Sequence, residues 1–548
     1  MPDRECDVLV IGGGGAGLAA ALTAAAAGGH VLVVEKSSKL GGTYAYSSGL
    51  LWVPANESAK RDGIEVSIDL ARHHITNLNG DKSVPEVLEA YLSRGNETLA
   101  FLDAQGVPLE WISRYPDYYA EEPGGLQEGR YLSSPVFEAA RELPPEWRDK
   151  SEFSPYYTDV PASWREIQGW GGYGLISEWD WKLLEDRKAR GVVGWGGATT
   201  GYLLAACLRN GIEFVLDTKL VEFERDSAGR VTGAAVTAGG EKSHIVARGG
   251  VVLAAGGYDH NPDMQRQFDH HPPATPFSNP SIDGSGIQAA MNIGASFANV
   301  MGQLMSPVYT LPRDDQAGQI VGNVAGREPS FPGSLVVNMR GKRFADDSFY
   351  RALVTAMARF DTKYCRWENL PCYMVFDEEW KKTYRLGHVK PGEAPEWMPR
   401  GQTASELAEK IGIPADALEA TIREFNAGAA EGRDEQFGRG SMAWARNNGD
   451  SRIKPNPCVR PLSGTLYAVE LKLGTMGTLS GLAVDQHARV LRADGSPIEG
   501  LYACGQTMAA IVEGYWYNSG TSNGRALIFG YIGAKHALAR VKEHAPVG

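Results

Sequence analysis

The chain has 548 residues, of which 43% are hydrophobic and 22% are charged, and its formal net charge is −12 at pH 7. This composition is typical of a globular protein with two or three folded units, and a negative charge without any cluster of Lys and Arg excludes nucleic acid as a partner. The six cysteines are scattered without C-x-x-C spacing, so we expect reduced thiols and no metal site.

The start of the chain, MPDREC, is charged and runs directly into an apolar stretch, so a secretory signal is not expected. The alanine-rich residues 15–27 are too short to span a bilayer, and no other run reaches about 20 apolar residues. The sequence predicts a cytoplasmic protein without a transmembrane segment.

Residues 7–35, DVLVIGGGGAGLAAALTAAAAGGHVLVVE, carry the most specific pattern of the chain. Residues 8–11 are typical of a short buried parallel strand, 15–27 of a helix packed on a sheet, and 30–35 of a second buried strand ending on an acid. A strand, a glycine-rich turn, a helix, a strand and a terminal acid in this order predict a dinucleotide-binding site.

The three glycines of the spacing G-x-G-x-x-G have separate tasks in such a site. Gly12 permits the tight turn, Gly14 lets the backbone approach a pyrophosphate, and Gly17 lets the helix and strand pack closely. The phosphates would lie on the N–H groups at the helix N-terminus, and Glu35 would accept a hydrogen bond from a ribose hydroxyl.

The Ser- and Gly-rich loop that follows, KSSKLGGTYAYSSGLLWVP, is where the second half of an extended dinucleotide would run, since small residues let the backbone lie close to a ligand. A nicotinamide-dependent dehydrogenase does not need this segment, whereas a flavin does. The Gly-Gly-Thr at 41–43 and the Ser-Ser-Gly at 47–49 resemble the fumarate reductase-like flavoproteins. The Trp-Val-Pro at 52–54 resembles, more narrowly, their 3-ketosteroid dehydrogenase branch.

The resemblance implies an α/β fold with FAD as cofactor: a Rossmann-like FAD-binding domain whose parallel sheet is split in the sequence, and an inserted α+β capping and catalytic domain. We expect the FAD-binding domain at 1–290 and 462–548, and the capping domain at 291–461. Residues 143–190 do not match the family and are predicted to be an insertion, either a lid or an interface. Where the family attaches flavin covalently through histidine, this chain has Tyr44-Ala45-Tyr46, which predicts noncovalent binding.

Two further motifs resemble catalytic elements of the ketosteroid dehydrogenases. In DYYAEEPGG the tyrosine after the aspartate corresponds to Tyr118, which the resemblance places in the active site. In VNMRGKRFADDSFY the closing tyrosine, Tyr350, corresponds to the family's base, with Asp347 in place of the usual glutamate before the serine. We expect a turn at Gly341 there, followed by a helix capped near residues 346–348.

The C-terminal motif EGYWYNSGTSNGRA predicts a glycine-rich entry to a helix whose N–H groups point at the flavin pyrimidine edge. In ketosteroid Δ1-dehydrogenases a tyrosine and a glycine N–H of this loop hold the ketone, and ungapped alignment places Gly520 on that glycine but Trp516 on the tyrosine. Tyr515 or Tyr517 remains available for the carbonyl, and the spacing of Tyr517 and Ser519 is more similar to the Δ4-(5α)-ketosteroid dehydrogenases. The bond oxidised therefore stays open, and the bulky Trp516 is compatible with a ketone smaller than a steroid.

Removal of two hydrogens from adjacent carbons needs a base for the α-proton, flavin N5 placed for the β-hydride, and hydrogen-bond donors on the carbonyl. A tyrosine base is difficult because a free phenol has a pKa of ~10, which is about 3 units, or roughly 4 kcal/mol, above pH 7. We take Tyr350 as the base and Tyr118 as the hydroxyl that donates to its phenolate. The predicted reaction is α,β-dehydrogenation of an apolar cyclic ketone, a 3-oxosteroid or a smaller cyclohexanone, with an external quinone, dye or O₂ as electron acceptor.

A fumarate or enoate reductase, running the reverse reaction, is the alternative. Such sites clamp dicarboxylates with Arg and His, but the expected Q-x-H-P element reads Q-L-M-S-P at 303–307, without the histidine. Arg343 and Arg351 remain candidate acids, although structural salt bridges are the commoner role of such arginines. A flavoprotein that serves only as an electron-transfer subunit is a third alternative, and no C-x-x-C motif supports it.

The predicted FAD contacts come from the glycine-rich turn, the end of the second strand, the Ser/Gly loop, three later strand segments and the C-terminal helix. They are Gly12, Gly14, Gly15, Ala16, Gly17, Glu35, Lys36, Ser37, Gly42, Thr43, Ser47, Ser48, Gly49, Leu220, Val221, Ala254, Ala255, Gly256, Gly505, Gln506, Ser522, Ala526 and Leu527.

Overall fold

The computed structural model describes residues 3–80, 83–153, 160–299, 303–313, 319–512 and 518–543. Two β-sheets, each with its own hydrophobic core, organise the part of the chain described. The larger sheet contains the parallel strands of the dinucleotide pattern, and the second is an antiparallel sheet.

The larger sheet is built around the strand Arg4–Ile11. This strand pairs in parallel with Val31–Val34 on one side and with Glu241–Leu253 on the other, which pairs in parallel with Pro497–Ala503. Because these strands run in the same direction, their carboxyl ends lie along one edge, where α/β proteins bind their ligands. The predicted parallel sheet, assembled from segments distant in sequence, is confirmed. Its full order is Arg489–Leu491, Pro497–Ala503, Glu241–Leu253, Arg4–Ile11, Val31–Val34 and Glu213–Val215, with Val231–Ala238 and Thr218–Arg225 extending it from Glu241–Leu253.

Helix Gly15–Ala26 packs on this sheet beside the C-terminal helix Thr521–Glu543, which contacts the sheet as well. A Cβ atom on Gly17 would overlap the carbonyl oxygen of Gly12, and one on Gly530 would lie 2.6 Å from the carbonyl oxygen of Ala16. Gly17 therefore lets helix Gly15–Ala26 approach the turn at Gly12, and Gly530 lets the C-terminal helix approach helix Gly15–Ala26. The sequence predicts this kind of close packing for Gly17.

The second sheet is centred on the long strand Leu466–Thr478, which pairs antiparallel with Gln303–Arg313 and Cys372–Asp377. The boundary predicted at residue 462 assigns this central strand to the FAD-binding domain. Because its hydrogen bonds join it to the second sheet, we propose that the capping domain extends to residue 478. The order is Gln319–Val324, Gln303–Arg313, Leu466–Thr478, Cys372–Asp377 and Ser334–Asn338, and Thr275–Pro276 and Arg400–Gly401 also pair with the central strand.

The described part of 143–190 forms short helices that pack onto the FAD-binding part of the chain. Trp164, which is fully buried, donates its indole N–H to the carbonyl oxygen of Ser48 over 2.7 Å and contacts Trp195 edge to face. This segment therefore covers the Ser/Gly loop, of which Ser47 and Ser48 line the cleft described below.

The other elements connect these two sheets. No helix among the described residues is long and apolar enough to cross a membrane. The minor strand pairings are Leu51–Trp52, Tyr131–Ser133 and Glu110–Trp111; Phe137–Glu138 with Val192–Val193; Phe297–Ala298 with Gly481–Leu482; and Phe360–Asp361 with Arg366–Trp367. The remaining α-helices are Gly42–Tyr46, Glu57–Arg61, Ile68–Asn79, Pro85–Ala104, Ala139–Glu142, Pro145–Arg148, Trp164–Gly169, Trp181–Ala189, Trp195–Arg209, Pro262–Phe268, Ser285–Met291, Tyr350–Met357, Glu378–Thr383, Ala404–Ile411, Ala415–Ala429 and Ala443–Asn448, and the 3₁₀ helices are Tyr173–Glu178, Glu328–Ser330 and Gly505–Thr507.

Asp259, just after the strand Glu241–Leu253, is a buried acid outside the cleft. Neither of its carboxylate oxygens has a hydrogen-bond partner among the described residues. Desolvation, reinforced by the nearby carboxylate of Asp269, raises the pKa of Asp259 to about 7. Because an unfolded aspartate has a pKa of ~3.9, the folded chain binds this proton more tightly, and stability falls as the pH rises from about 4 to about 7.

Asp259→Asn is therefore expected to change the pH dependence of stability. Between pH 5 and pH 8 the variant should gain about 3 kcal/mol in the free energy of unfolding relative to wild type, because the interval of about 2 units from pH 5 to the pKa of about 7 corresponds to this energy. Urea unfolding of the holoenzyme at both pH values measures it, with the exposed Asp103 changed to Asn as control. If the free energies of unfolding of variant and wild type differed by the same amount at pH 5 and pH 8, ionisation of Asp259 would not be what destabilises the wild type at higher pH.

Candidate active site

A cleft of about 1700 Å³, counting the volume open to solvent, runs along the carboxyl edge of the larger sheet and reaches the second sheet. Gly12 and Glu35 lie at one end, and Tyr118, Tyr350 and Trp444 lie at the other. One continuous cleft therefore joins the dinucleotide-binding turn to the aromatic residues Tyr118, Tyr350 and Trp444.

The first end is formed by the turn after Arg4–Ile11. Gly12 has a φ of +108°, and a Cβ on it would overlap the carbonyl oxygen of Ala254, so only glycine fits. The main-chain N–H groups of Gly13 and Ser37 donate to the two carboxylate oxygens of Glu35 over 2.7 and 2.8 Å. Burial raises the pKa of Glu35, and these N–H groups oppose that shift. The carboxylate is thus held at the cleft wall with lone pairs left for ribose hydroxyls.

The N-terminus of helix Gly15–Ala26 faces the same space. The first N–H groups of a helix have no partner within it and carry its positive dipole end. A Cβ on Gly14 would meet no atom closer than 3.8 Å, so open space lies in front of these N–H groups. This is the environment that a pyrophosphate requires.

Most of the residues predicted to contact the cofactor line the cleft. They come from all the predicted segments: Gly12, Gly14, Gly15, Ala16, Glu35, Lys36, Ser37, Gly42, Thr43, Ser47, Ser48, Leu220, Ala254, Ala255, Gly256, Gly505, Gln506, Ser522 and Ala526.

Four predicted contacts lie elsewhere. The side chain of Val221 is 45% exposed because successive residues of a strand point to opposite faces, and Leu220 takes the cleft side. Leu527 is buried in the core of the larger sheet, and Gly49, with a φ of +69°, packs against the backbone of Trp195. Gly17 serves the helix packing described above.

The cleft fits FAD along its length. An oriented acid and a helix N-terminus stand at one end, the Ser/Gly loop with Thr43, Ser47 and Ser48 follows, and Gly520 and Ser522 bring the start of helix Thr521–Glu543 to the other end. The second helix N-terminus supplies N–H groups for the electron-rich edge of a flavin ring. These residues would hold the dinucleotide across the cleft.

Tyr118 and Tyr350, 232 residues apart, meet in this cleft. Their hydroxyl oxygens are 2.8 Å apart, within hydrogen-bond distance. The indole of Trp444 lies with its centroid 5.4 Å from each of the two rings, and Phe349 contacts Tyr118 edge to face. The pair is therefore set in an aromatic surround that limits the access of water.

Asp117 fixes the position of Tyr118. Its carboxylate accepts hydrogen bonds from the indole N–H of Trp52 over 2.8 Å and from the guanidinium of Arg130 over 2.6 Å, and both members of this ion pair are 1% exposed. The main-chain N–H of Tyr118 donates to the side-chain oxygen of Asn518 over 2.9 Å. The tryptophan of the W-x-P motif and the aspartate of the tyrosine motif thus act together to hold the tyrosine at the cleft.

Tyr350 is the first residue of helix Tyr350–Met357, which begins later than the predicted cap at 346–348. Asp347 does not cap the helix, because its carboxylate accepts the main-chain N–H of Val336 over 2.7 Å and pairs with the buried Arg439. Ser348 instead donates its N–H and hydroxyl to Asp346. These contacts tie the turn before Tyr350 to the second sheet.

The C-terminal side of the site is described in part. Gly520 lines the cleft with a φ of +79°, and a Cβ on it would lie 2.8 Å from the carbonyl oxygen of Leu50. Asn523 donates its side-chain amide to Ser47 and to the carbonyl oxygen of Leu50. The predicted contributions of Tyr515 and Tyr517 fall outside the described residues.

Neither arginine considered for a reductase lines the cleft. Arg343 is buried in a bidentate pair with Asp434, 2.7 and 2.8 Å, and also contacts Asp347. Arg351 donates to the carbonyl oxygen of Met305 over 3.4 Å and packs on the ring of Tyr350. The contacts of Arg343 and of Arg351 are typical of arginines that stabilise the fold.

Sequence patterns missed three residues of this site. Trp444 and Asn518 surround or position the tyrosine pair, and Arg327 lines the second-sheet side of the cleft. Trp444 and Arg327 belong to no motif of the chain, whereas Asn518 lies within the C-terminal motif, which does not reveal its hydrogen bond to Tyr118. Each reaches the site through packing between distant segments.

A dinucleotide cleft of this form, joined to an aromatic pocket with a hydrogen-bonded tyrosine pair, defines a flavin-dependent oxidoreductase. Residues 7–524 match the family model described as FAD binding domain. The chain is 34% identical over 545 residues to the 4-oxocyclohexanecarboxylate 2-dehydrogenase of Sinomonas cyclohexanicum, covering 97% of this chain and 93% of that relative. It is 34% identical over 566 residues to a 3-oxosteroid 1-dehydrogenase of Mycolicibacterium smegmatis, covering 97% of each.

A solved structure gives the same relationship. The 3-ketosteroid Δ1-dehydrogenase of Sterolibacterium denitrificans has a TM-score of 0.89 at 30% identity, covering 98% of this chain and all of that one. The chain belongs to the FAD binding domain family, in its 3-ketosteroid dehydrogenase-like branch, and is an FAD-dependent oxidoreductase.

We expect the purified protein to be yellow and to carry one noncovalent FAD. The position of the family's attachment histidine is occupied by the segment Tyr44-Ala45-Tyr46, which ends helix Gly42–Tyr46 and offers no imidazole. Acid precipitation should release all of the flavin into the supernatant, where its absorbance measures the amount bound per chain. Flavin that remains with the precipitated polypeptide would contradict noncovalent binding.

Proposed function

We propose that this flavoprotein catalyses the α,β-dehydrogenation of a cyclic ketone, with Tyr350 as the α-proton base. The observation that carries the proposal is the 2.8 Å hydrogen bond between Tyr118 and Tyr350 in the wall of the cleft. Phenol and indole rings around this pair suit an apolar ring. The relatives named for a 3-oxosteroid and for 4-oxocyclohexanecarboxylate support a cyclic ketone of either size.

In this proposal the hydroxyl of Tyr350 is ionised to a phenolate, which accepts the α-proton of the ketone. Tyr118 donates its hydroxyl hydrogen to the phenolate oxygen, and a hydrogen bond to the charged form favours that form. Trp444 excludes water from the pair and thereby strengthens the interaction between the two oxygens. The α-proton thus leaves the substrate on Tyr350.

Donors on the ketone oxygen act at the same time. The N–H of Gly520, with Tyr515 or Tyr517, polarises the carbonyl as enolate charge develops, and one such donor typically contributes about 3 kcal/mol in the transition state. When bound, FAD supplies the two-electron acceptor for the β-hydride.

Two further parts of the proposal concern the surroundings of the enzyme. An external quinone, dye or O₂ is the electron acceptor, as expected for a chain in which no second dinucleotide fingerprint follows the first. A cytoplasmic location is supported by the cysteines, which are all free and, apart from Cys365, buried, as expected in a reducing compartment.

The proposed direction and substrate are tested by comparing two assays of the holoenzyme. One contains a cyclic ketone, either a cyclohexanone or a 3-oxosteroid, with an artificial electron acceptor; the other contains fumarate with reduced viologen. We expect turnover of a cyclic ketone to its α,β-unsaturated product. Turnover of fumarate alone would favour the reductase and make the proposed role of Tyr350 wrong.

A further inference from the structure

Arg327 is a charged residue on the side of the cleft formed by the second sheet. It follows the strand Gln319–Val324 and lines the cleft beside Ser306 and Gly326. The other charged residues in the described lining, Glu35, Lys36, Lys39 and Lys219, belong to the segments at the dinucleotide end. The substrate end therefore combines neutral aromatic walls with one guanidinium among its described residues.

Aromatic rings of the segment 143–190 hold this guanidinium. Its central carbon lies 4.9 Å from the ring centroid of Trp164 and 4.5 Å from that of Tyr173. Trp164 is itself fixed by its hydrogen bond to Ser48 and its contact with Trp195. Cation–π contacts of this kind hold a guanidinium by its face. The arginine is thus held on a rigid wall of the substrate end.

Desolvation raises the pKa of the neighbouring acid, Glu328, and the charge of Arg327 is among the interactions that oppose this shift. Its Oε1 accepts from the hydroxyl of Tyr309 over 3.0 Å, and its Oε2 accepts from the main-chain N–H of Arg327 over 3.3 Å. A guanidinium in a ligand cleft is suited to bidentate recognition of a carboxylate.

We propose that Arg327 binds a carboxylate group of the substrate, so that the substrate is a compact cyclic ketone that also carries an acid. This rests on the proposed function, since the ketone must lie at Tyr118 and Tyr350 while the acid lies at Arg327. A single guanidinium suits a monocarboxylate and would leave the second acid of a dicarboxylate poorly paired. A fused hydrocarbon ring system at the same wall would desolvate the charge without replacing its hydrogen bonds, which is costly. Arg327 is therefore a specificity-determining residue.

The matched test uses a carboxylated cyclohexanone and its methyl ester, which share the ring and the ketone and differ in charge. In wild type the acid should have a kcat/KM about 10- to 100-fold above that of the ester, the scale of hydrogen bonds to a charged group. Arg327→Gln should remove this preference and leave the ester within about threefold of wild type. Arg327→Lys should retain part of the preference because a point charge remains without the planar fork.

Arg385→Gln is the matched control, because Arg385 stacks on Trp181 at 4.7 Å and is not among the residues that line the cleft. It should leave the preference for the acid unchanged. An equal loss for the acid and the ester in Arg327→Gln, or no preference for the acid in wild type, would overturn the assignment.

Binding of cyclohexanecarboxylate, which has no ketone to oxidise, separates this inference from the proposed reaction. Calorimetry of the oxidised holoenzyme should show binding to wild type and at least about tenfold weaker binding to Arg327→Gln, with cyclohexanol unaffected by the change. Equal affinity of both proteins for the carboxylate would refute the role of Arg327. Absence of ketone turnover together with this loss of binding would contradict the proposed reaction and leave the carboxylate site standing.

Discussion

Replacement of Tyr350 by phenylalanine is expected to lower kcat for a cyclic ketone by a factor on the order of 10² or more, the scale of losing general base catalysis. The change removes one hydroxyl from a ring that stays packed against Trp444 and the helix Tyr350–Met357. FAD content should stay at the wild-type level, since Tyr350 lies at the substrate end of the cleft. Steady-state assays with an artificial acceptor, normalised to bound flavin, measure the effect.

The control for this variant is Tyr364→Phe, which removes a hydroxyl from a tyrosine that is 57% exposed. It should have wild-type kcat. Near-wild-type turnover by Tyr350→Phe would remove Tyr350 from the mechanism, and parallel losses in the two variants would point to a nonspecific effect.

Tyr118→Phe separates the two tyrosines by their pH dependence. Without the hydroxyl of Tyr118, the phenolate of Tyr350 loses a hydrogen bond to its charged form, and its formation then requires a higher pH. The rising limb of the kcat–pH profile should move to higher pH in this variant, with part of the activity recovered in alkaline buffer. A profile lowered equally at every pH would contradict the stabilising role of Tyr118.

The second large effect is expected from Asp117→Ala. This change leaves the guanidinium of Arg130 buried and without the carboxylate that it now contacts over 2.6 Å. Breaking a buried ion pair from one side costs about 3–5 kcal/mol because an uncompensated charge remains inside. The free energy of unfolding, measured by urea denaturation of the holoenzyme, should fall by this amount.

Glu222→Ala provides the comparison, because Glu222 pairs with Lys242 at 2.7 Å on the surface, where both side chains are about half exposed. Because solvent screens such an exposed pair, it contributes little to stability, and this variant should unfold close to wild type. Asp117→Asn, which keeps the shape and one acceptor, should lie between Asp117→Ala and wild type. If Asp117→Ala and Glu222→Ala lowered the free energy of unfolding equally, the buried pair of Asp117 and Arg130 would stabilise the protein no more than a surface pair does.

The dinucleotide end of the cleft could be predicted from the sequence because its physics is local. The strands, Gly12, Gly17 and Glu35 lie within one short segment, and each residue type is demanded by the backbone geometry there. The start of the helix at Tyr350 was less predictable, because Asp347 is drawn away from capping by Val336 and Arg439, which are distant in the chain. A capping motif in the sequence does not show that residues distant in the chain will bind the side chain expected to cap the helix.

Other differences have equally simple causes. The predicted contacts Leu220 and Val221 are adjacent in a strand, so at most one of them can face the cleft, and only pairing with the neighbouring strand decides which. The proposal to move the domain boundary from 462 to 478 depends on the pairing of Leu466–Thr478, because the sequence of a strand does not show which sheet it joins. Arg327 was not recognised, since its position depends on Trp164 and Tyr173, which are distant from it in the chain.

Anaerobic mixing of the oxidised holoenzyme with a cyclic ketone tests the proposed dehydrogenation most directly. The visible absorbance of the bound flavin should bleach, one equivalent of α,β-unsaturated ketone should form per FAD, and both changes should slow by about 10² or more in Tyr350→Phe. The contrary result is a flavin that no cyclic ketone bleaches, in a protein whose reduced form is reoxidised by fumarate. That outcome would make the enzyme a reductase and Tyr350 a residue of the pocket wall.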